Sequence, residues 1–319
     1  VTDPMLVADI GGTNARFAIA EAQDDQIHIR AAQTFRAEDF ETIRDAADAY
    51  LEAVAEKPSR ACFAAAGPII DDEVGFTNSH WTLRTPEITQ SLRLSEFHIV
   101  NDFYALAAGV AHLAADAFVE VKAGEPISEA PQLVIGPGTG LGQALIVPTK
   151  DGEKIVATEG GHVSFAPRTD EEFAIKKFIA REHPRVSVER LLSGRGLVNI
   201  HRALCAIEGK QRISLQANEI TRAAITGDYP IAVRAVDMFC AILGRVAGDA
   251  VLATGARGGV VLGGGILPKI SDAFLKSDFV KRFREKGRMS EYVEAVPVKL
   301  IMADGAALYG AGTVLKGVP

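Results

Sequence analysis

Asp9-Ile10-Gly11-Gly12-Thr13-Asn14 places a carboxylate where a short apolar run ends, followed by two glycines and two side chains that donate hydrogen bonds. Glycine amides approach phosphate oxygens closely because no Cβ intervenes, so this is a candidate phosphate-holding turn. Gly138-Thr139-Gly140 makes the same offer with bare amides and one hydroxyl. Asn101-Asp102 follows the apolar run Phe97 to Val100 and precedes a helical pattern. Strand ends of that kind are where α/β proteins gather ligands, and an Asp there is a candidate general base. Glu159-Gly160-Gly161-His162 sets an acid and an imidazole around two glycines, so both can converge on one small polar ligand. Gly258 to Ile266 is a strand candidate with bare backbone at both ends, on which a flat ring or a ribose can lie.

Each feature also has a plainer explanation. Gly11-Gly12 can be a tight hairpin turn capped by Asp9. Asn101 or Asp102 can be the N-cap of the helix that follows. The glycines around Val260-Val261-Leu262 can serve close helix–strand packing. Glu159 can be a solvated loop residue and His162 a satisfied core residue, and the pair alone makes a poor metal site. Glu189 can favour the first turn of a helix capped by Ser187. Two familiar phosphate-binding designs are excluded. No GxxxxGK[ST] occurs, and Gly136 to Gly142 fails GxGxxG because Leu141, Gln143 or Leu145 stands where a glycine is needed.

These residues need elements to hold them. Met5 to Ala8 and Ala15 to Ala20 read as a hairpin around the first glycine pair, and Leu133 to Ile135 with Ala144 to Val147 read as another around the second. The recurrence predicts a duplicated architecture. Ala61 to Ala66 and Phe97 to Val100 are further strands, with a helix from Phe103 to about Ala115. Apolar spacing predicts helices over Glu171 to Arg181, Val186 to Leu192, Leu197 to Ile207 and Ile231 to Ala253. Val260 to Leu262 reads as a buried strand, Val296 to Leu300 as a strand that Pro297 assigns to an edge, and Ala306 to Leu315 as a helix whose small residues suit close packing.

A chain of 319 residues exceeds the usual single domain, so two lobes are expected. We place a small domain at 1–112 with the C-terminal helix 304–319, and a large domain at 113–303. Apolar residues at 48% and charged residues at 24% are ordinary for a globular chain with a sizeable core in each lobe. A net charge of −7 without a Lys/Arg run longer than two argues against nucleic acid as a partner, but not against a small anion held by backbone amides. Cys62, Cys205 and Cys240 lack metal or CxxC spacing and read as buried thiols in a reducing compartment. No basic leader precedes Met5, and no apolar run reaches the roughly 18 residues of a membrane span, so the expected location is cytoplasmic, without membrane contact.

Taken in order, Leu6 to Arg16, Thr77-Asn78 with Trp81, Asn101-Asp102-Phe103, Gly138 to Gly142, Glu159 to Val163 and Glu189 to Gly194 resemble the bacterial glucokinases through nearly the whole chain. The resemblance implies an α/β chain with the two-lobed actin-like, ribonuclease H-like ATPase fold, a duplicated α/β core and a central cleft. It implies transfer of the γ-phosphate of MgATP to the 6-hydroxyl of glucose. By motif position Asn101, Asp102, Glu159, His162 and Glu189 resemble the glucose ligands, and Asp102 resembles the base. Ala8, Asp9, Ile10, Gly11, Gly12 and Thr13 resemble the first phosphate segment, with Asp9 near Mg2+ through water. Gly138, Thr139 and Gly140 resemble the second, and Gly264 and Gly265 the adenosine segment. A related repressor and kinase family carries a cysteine-rich zinc motif after its Glu-x-Gly-His segment; its absence here resembles the zinc-free branch, which implies a homodimer. The alternatives are a kinase for another hexose or an N-acetylated hexosamine, or a non-catalytic sugar sensor, against which the intact Asp102 and both hairpins argue.

Overall fold

The computed structural model describes residues 3–317 except 25, 68, 70, 77–79 and 211–213. Thr77-Asn78, singled out in the sequence, lies outside the described residues. The chain folds as two compact units, one made of Val1–Ala117, Thr149–Ala157 and Ala303–Pro319, the other of Phe118–Pro148 and Thr158–Met302.

The first unit begins with the antiparallel hairpin β1 (Met5–Ile10) and β2 (Asn14–Gln23), continued by β3 (Gln26–Arg36). Helix α1 (Ile43–Val54) leads to β4 (Arg60–Ala65). A small ribbon of β5 (Glu73–Gly75) and β6 (Thr82–Arg84) follows, then α2 (Thr85–Ser91), β7 (Glu96–Asn101) and α3 (Asp102–Gly109). Among the described residues the main sheet runs β3-β2-β1-β4-β7, with β1, β4 and β7 parallel. Both faces of β1 are buried. Leu6, Ala8 and Ile10 pack under α1, whose Thr42 cap and Asp45 form a reciprocal capping box and whose Ile43, Ala46, Ala47 and Tyr50 face inward. Met5 and Val7 pack on the other face against Leu308, Ala311 and Leu315 of the C-terminal helix. Trp81 is buried in the first of these clusters and donates its indole N–H to Phe40 O at 3.1 Å.

The second sheet comprises β8 (Phe118–Lys122), the hairpin β9 (Gln132–Pro137) and β10 (Leu141–Thr149), and β11 (Gly152–Thr158) at its edge. Helices α4 (Asp170–Ile179), α5 (Gly194–Ile207), α6 (Ala217–Thr226) and α7 (Pro230–Thr254) precede β12 (Gly259–Leu262). The short helices α8 (Ser271–Lys276), α9 (Phe279–Arg284) and α10 (Ser290–Glu294) precede β13 (Val298–Ile301), and the C-terminal helix of the chain is α11 (Ala306–Lys316). The described strands run β11-β10-β9-β12-β13-β8, with β9, β12 and β13 parallel. Setting β8 aside, each sheet orders its strands third, second, first, fourth, fifth, beginning with an antiparallel hairpin beside a parallel block. The two glycine hairpins therefore mark a duplicated α/β core, as the sequence implied.

Three expected elements differ. The helix expected from Phe103 to about Ala115 is α-helical only to Gly109 and is followed by the 3-10 turns Val110–His112 and Ala115–Ala117. Val186 to Leu192 is no α-helix; it forms only the 3-10 turn Val188–Arg190, and Ser187 makes no side-chain cap. Its backbone is committed elsewhere: Phe165 N donates to Val186 O at 3.0 Å and Val188 N to Val163 O at 2.9 Å. Strand β13 is internal, between β12 and β8. Pro297 stands just ahead of it, where no N–H is required, and its carbonyl accepts from Val260 N at 2.8 Å. The three cysteines are buried thiols as expected, and burial raises the pKa values of Cys62 and Cys240.

Candidate active site

Register places the first set of residues at one end of the first sheet, where its parallel strands finish. Ile10 pairs with Ala65, and Ala65 pairs with Asn101. At a strand spacing of about 4.8 Å, the Ala8 to Thr13 segment and the Asn101-Asp102 corner leave the sheet on the same side, roughly 10 Å apart. Asn101 is the cap of α3: its Oδ1 accepts from Phe103 N at 2.9 Å and Tyr104 N at 3.1 Å. Asp102 lies in the first turn, where helix dipoles favour negative charge, and its Oδ1 accepts from Phe103 N at 2.9 Å. The capping role thus falls to Asn101.

Beyond Ile10, Gly11 N donates to Asn14 O at 2.9 Å to close the turn. Neither Gly11 nor Gly12 has positive φ. A Cβ on Gly11 would make only an ordinary 3.5 Å contact with Asn14 O. Packing does not require glycine at 11.

Asp9 faces Arg16 across the hairpin. Burial pushes the Asp9 carboxyl above its ordinary range, and the Arg16 charge opposes this more weakly. Arg16 also donates to Thr34 Oγ1 at 3.2 Å and lies 4.0 Å from Asp304 Oδ2. Sequence reading gave Arg16 no role, although the hairpin register pairs it with Asp9. A raised folded-state pKa means that folding is favoured by Asp9 protonation: this stability is fully present below the unfolded value of 3.8 and is lost as pH rises through the folded value. Asp9→Asn should therefore raise the Tm of the ligand-free protein at neutral pH, by a margin that shrinks as pH falls toward 4. Thermal melts across pH check this, and a lower Tm for the variant at pH 7 would contradict it.

The second set gathers at one end of the second sheet. Gly138 N donates to Gly140 O at 2.8 Å in the turn joining β9 to β10. No atom lies within 4 Å of a Cβ built on Gly138, whereas one on Gly140 would meet Glu189 Oε2 at 2.5 Å. That same carboxylate oxygen accepts from Leu141 N at 2.9 Å. Glu159 and His162 flank a 3-10 turn with Glu159 Oε2 3.7 Å from His162 Nε2, and both side chains are exposed, at 73% and 55%. His162 is therefore not a core histidine. The Ser164–Ser187 bridge carries Glu189 alongside this segment. A Cβ on Gly161 would overlap Leu141 O at 2.3 Å and one on Gly160 would overlap Gln143 Oε1 at 1.9 Å, so both glycines lie directly on β10. Buried Gln143 and the Leu141 amide went unnoticed in the sequence; a polar residue inside an apolar strand was the signal available for the first.

Gly264 has φ of +83° and packs on Pro137 O, 2.5 Å from a built Cβ, so the fold itself demands it. Gly265 has no such constraint, with nothing within 4 Å. Gly264 lies beside the Gly138 to Gly140 turn through its contact with Pro137.

The glucokinase family model matches residues 6–318. The glucokinase of Saccharophagus degradans is 39% identical over 314 residues, covering 98% of this chain and 98% of the relative. That of Stenotrophomonas maltophilia is 42% identical over 319 residues, covering 97% and 94%. Among solved structures, a glucokinase from an Antarctic psychrotroph matches with a TM-score of 0.86 at 40% identity, over 99% of each chain. A ROK family glucokinase from Streptomyces griseus, solved with glucose and AMPPNP, shares the fold at a TM-score of 0.67 and 21% identity, over 98% of this chain and 100% of that one. With a match this long on a duplicated α/β core of the expected kind, the chain belongs to the glucokinase family.

Proposed function

We propose that this glucokinase transfers the γ-phosphate of MgATP to the 6-hydroxyl of glucose, giving glucose 6-phosphate and ADP, with Asp102 as general base. The observation that carries the chemistry is the place of the Asn101-Asp102 corner: it follows β7 on the side where the Ala8 to Thr13 segment leaves β1, with Asp102 in the first turn of α3 behind the Asn101 cap. Asp102 takes the proton of the 6-hydroxyl as that oxygen bonds to the γ-phosphorus, and the bond to the β,γ-bridging oxygen breaks to release ADP. Asn101, Glu159, His162 and Glu189 hold sugar hydroxyls. Ala8 to Thr13 and Gly138 to Gly140 hold phosphates, and Gly264-Gly265 holds the adenosine. The glycines at 11, 138 and 265, which packing does not demand, support this assignment.

Mg2+ fits the residues present. Among the described residues no group of three or more His, Cys, Asp or Glu could hold a metal ion, but magnesium commonly takes one or two carboxylates, waters and substrate phosphates. Asp9, a half-buried carboxyl at the end of β1, is the group that would hold it through water. When bound, magnesium neutralises charge on the β- and γ-phosphates.

The same reading takes 1–112 with 304–319 as the small domain, 113–303 as the large one, and a cytoplasmic homodimer as the working form. Among the described residues no helix is long and apolar enough to cross a membrane. A coupled assay for ADP release across a sugar panel, with the product identified, tests the reaction. A sugar lacking or inverting a hydroxyl leaves a site group unpaired, at a cost of roughly 1–3 kcal/mol. The expected kcat/KM for glucose therefore exceeds those for mannose and fructose by about tenfold or more. Equal values would remove the proposed hydroxyl contacts.

A further inference from the structure

Glu189 resembles a sugar ligand, yet its carboxylate is bonded to the phosphate turn. Oε2 accepts from Leu141 N at 2.9 Å and stands 2.5 Å from where a Cβ on Gly140 would be. The backbone around Glu189 is tied to the same turn. Ser193 Oγ donates to Glu189 O at 2.9 Å, and the next residue, Gly194, donates its N–H to Gly138 O at 2.9 Å. From the other side the Glu159 to His162 segment rests on Leu141 O through Gly161, 2.3 Å from a built Cβ. The peptide groups of Leu141 are thus gripped at the N–H by Glu189 and crowded at the carbonyl by the segment that carries Glu159 and His162.

A Gly-Thr-Gly turn has little steric definition of its own, so whatever fixes its neighbours sets how its amides point. The geometry points to Glu189 as the positioning residue through which an occupied sugar site holds the Gly138 to Gly140 turn ready for the nucleotide phosphates. A carboxylate offers about four lone-pair positions, enough to serve the Leu141 N–H and sugar hydroxyls together. Sugar binding restricts the carboxylate, the carboxylate restricts the turn, and the nucleotide then meets amides already aimed. By linkage the nucleotide tightens sugar binding by the same factor. The inference rests on the glucokinase reading.

The test is calorimetric titration of magnesium AMPPNP into the full chain with and without glucose, and of glucose alone, for wild type, Glu189→Gln, Glu189→Ala and Gly140→Ala. In the wild type glucose is expected to tighten AMPPNP about fivefold or more. Glu189→Gln keeps an oxygen for the Leu141 N–H and should keep the coupling factor within about twofold. Glu189→Ala should bring that factor to about one and weaken AMPPNP roughly fivefold even without sugar. Gly140→Ala puts a methyl group where the carboxylate sits and should weaken glucose roughly fivefold from the phosphate turn. If Glu189→Ala does not fold, the other two variants decide. Independent binding in the wild type, unchanged coupling in Glu189→Ala, loss of coupling in Glu189→Gln, or unchanged glucose affinity in Gly140→Ala overturns the proposal. A wild type that binds AMPPNP but no glucose instead removes the underlying glucokinase reading.

Discussion

Asp102→Asn is expected to lower kcat by about 10²–10⁴ and to leave stability within about 0.5 kcal/mol of wild type. The two halves of that expectation come from different atoms. A positioned base contributes on the order of 10²–10⁴ in rate, which is roughly 3–5 kcal/mol of barrier. The helix cap at this corner belongs to the neighbour, since Asn101 Oδ1 accepts from both Phe103 N and Tyr104 N. An Asn at 102 still presents an oxygen to Phe103 N, so α3 keeps its first turn. Asn101→Ala should invert the pattern in stability, costing about 1 kcal/mol through the lost cap. Measuring kcat at saturating glucose, the glucose Kd and the Tm for both variants separates the duties. An Asp102→Asn enzyme with kcat within tenfold of wild type and unchanged glucose affinity would mean that the base lies elsewhere.

The elements that carry this corner were legible because they are local. Alternating apolar residues around Gly11-Gly12 and around Gly136 to Gly142 announce hairpins, and the short run before Asn101 announces a strand end. The recurrence of the hairpin pointed to duplication, and the matching strand orders are its structural counterpart. What stayed hidden depends on partners remote in sequence. The apolar spacing of Val186 to Leu192 suits a helix, but Val163 and Phe165 claim its backbone first. The bond from Leu141 N to Glu189 spans 48 residues and leaves no trace in either motif. Pro297 suggested an edge because composition does not reveal that a ladder starts one residue later. At Gly264 the close contact is with Pro137 O at the end of β9 rather than between a helix and a strand.

The small residues of α11 make a claim that can be tested by one methyl group. A Cβ on Gly310 would stand 1.7 Å from Ala105 O, 2.5 Å from Ala105 C and 2.9 Å from Gly109 N; one on Gly109 would reach Ala306 O at 2.4 Å. The α3 and α11 backbones meet without side chains between them. In an isolated helix Gly→Ala is stabilising by about 0.8–1.0 kcal/mol, so propensity alone predicts a gain at 310. The clash opposes it with atoms that no rotamer can move aside, and overpacking costs about 1–3 kcal/mol, occasionally more. An overlap this deep belongs at or above the top of that range. Gly310→Ala should therefore lose roughly 2 kcal/mol net, a Tm drop on the order of 4–8 °C at about 2–4 °C per kcal/mol. Its second effect follows from what α3 carries. Displacing α11 shifts the helix whose first turn presents Asp102, and a misplacement of about 1 Å at a reacting group costs about 10²-fold in rate. Gly75→Ala is the control, because a Cβ there has no atom within 4 Å. It should change neither Tm nor kcat appreciably. A Gly310→Ala protein that melts higher than wild type would show that helix propensity outweighs the contact, and the close approach of α3 and α11 would then have no part in setting Asp102.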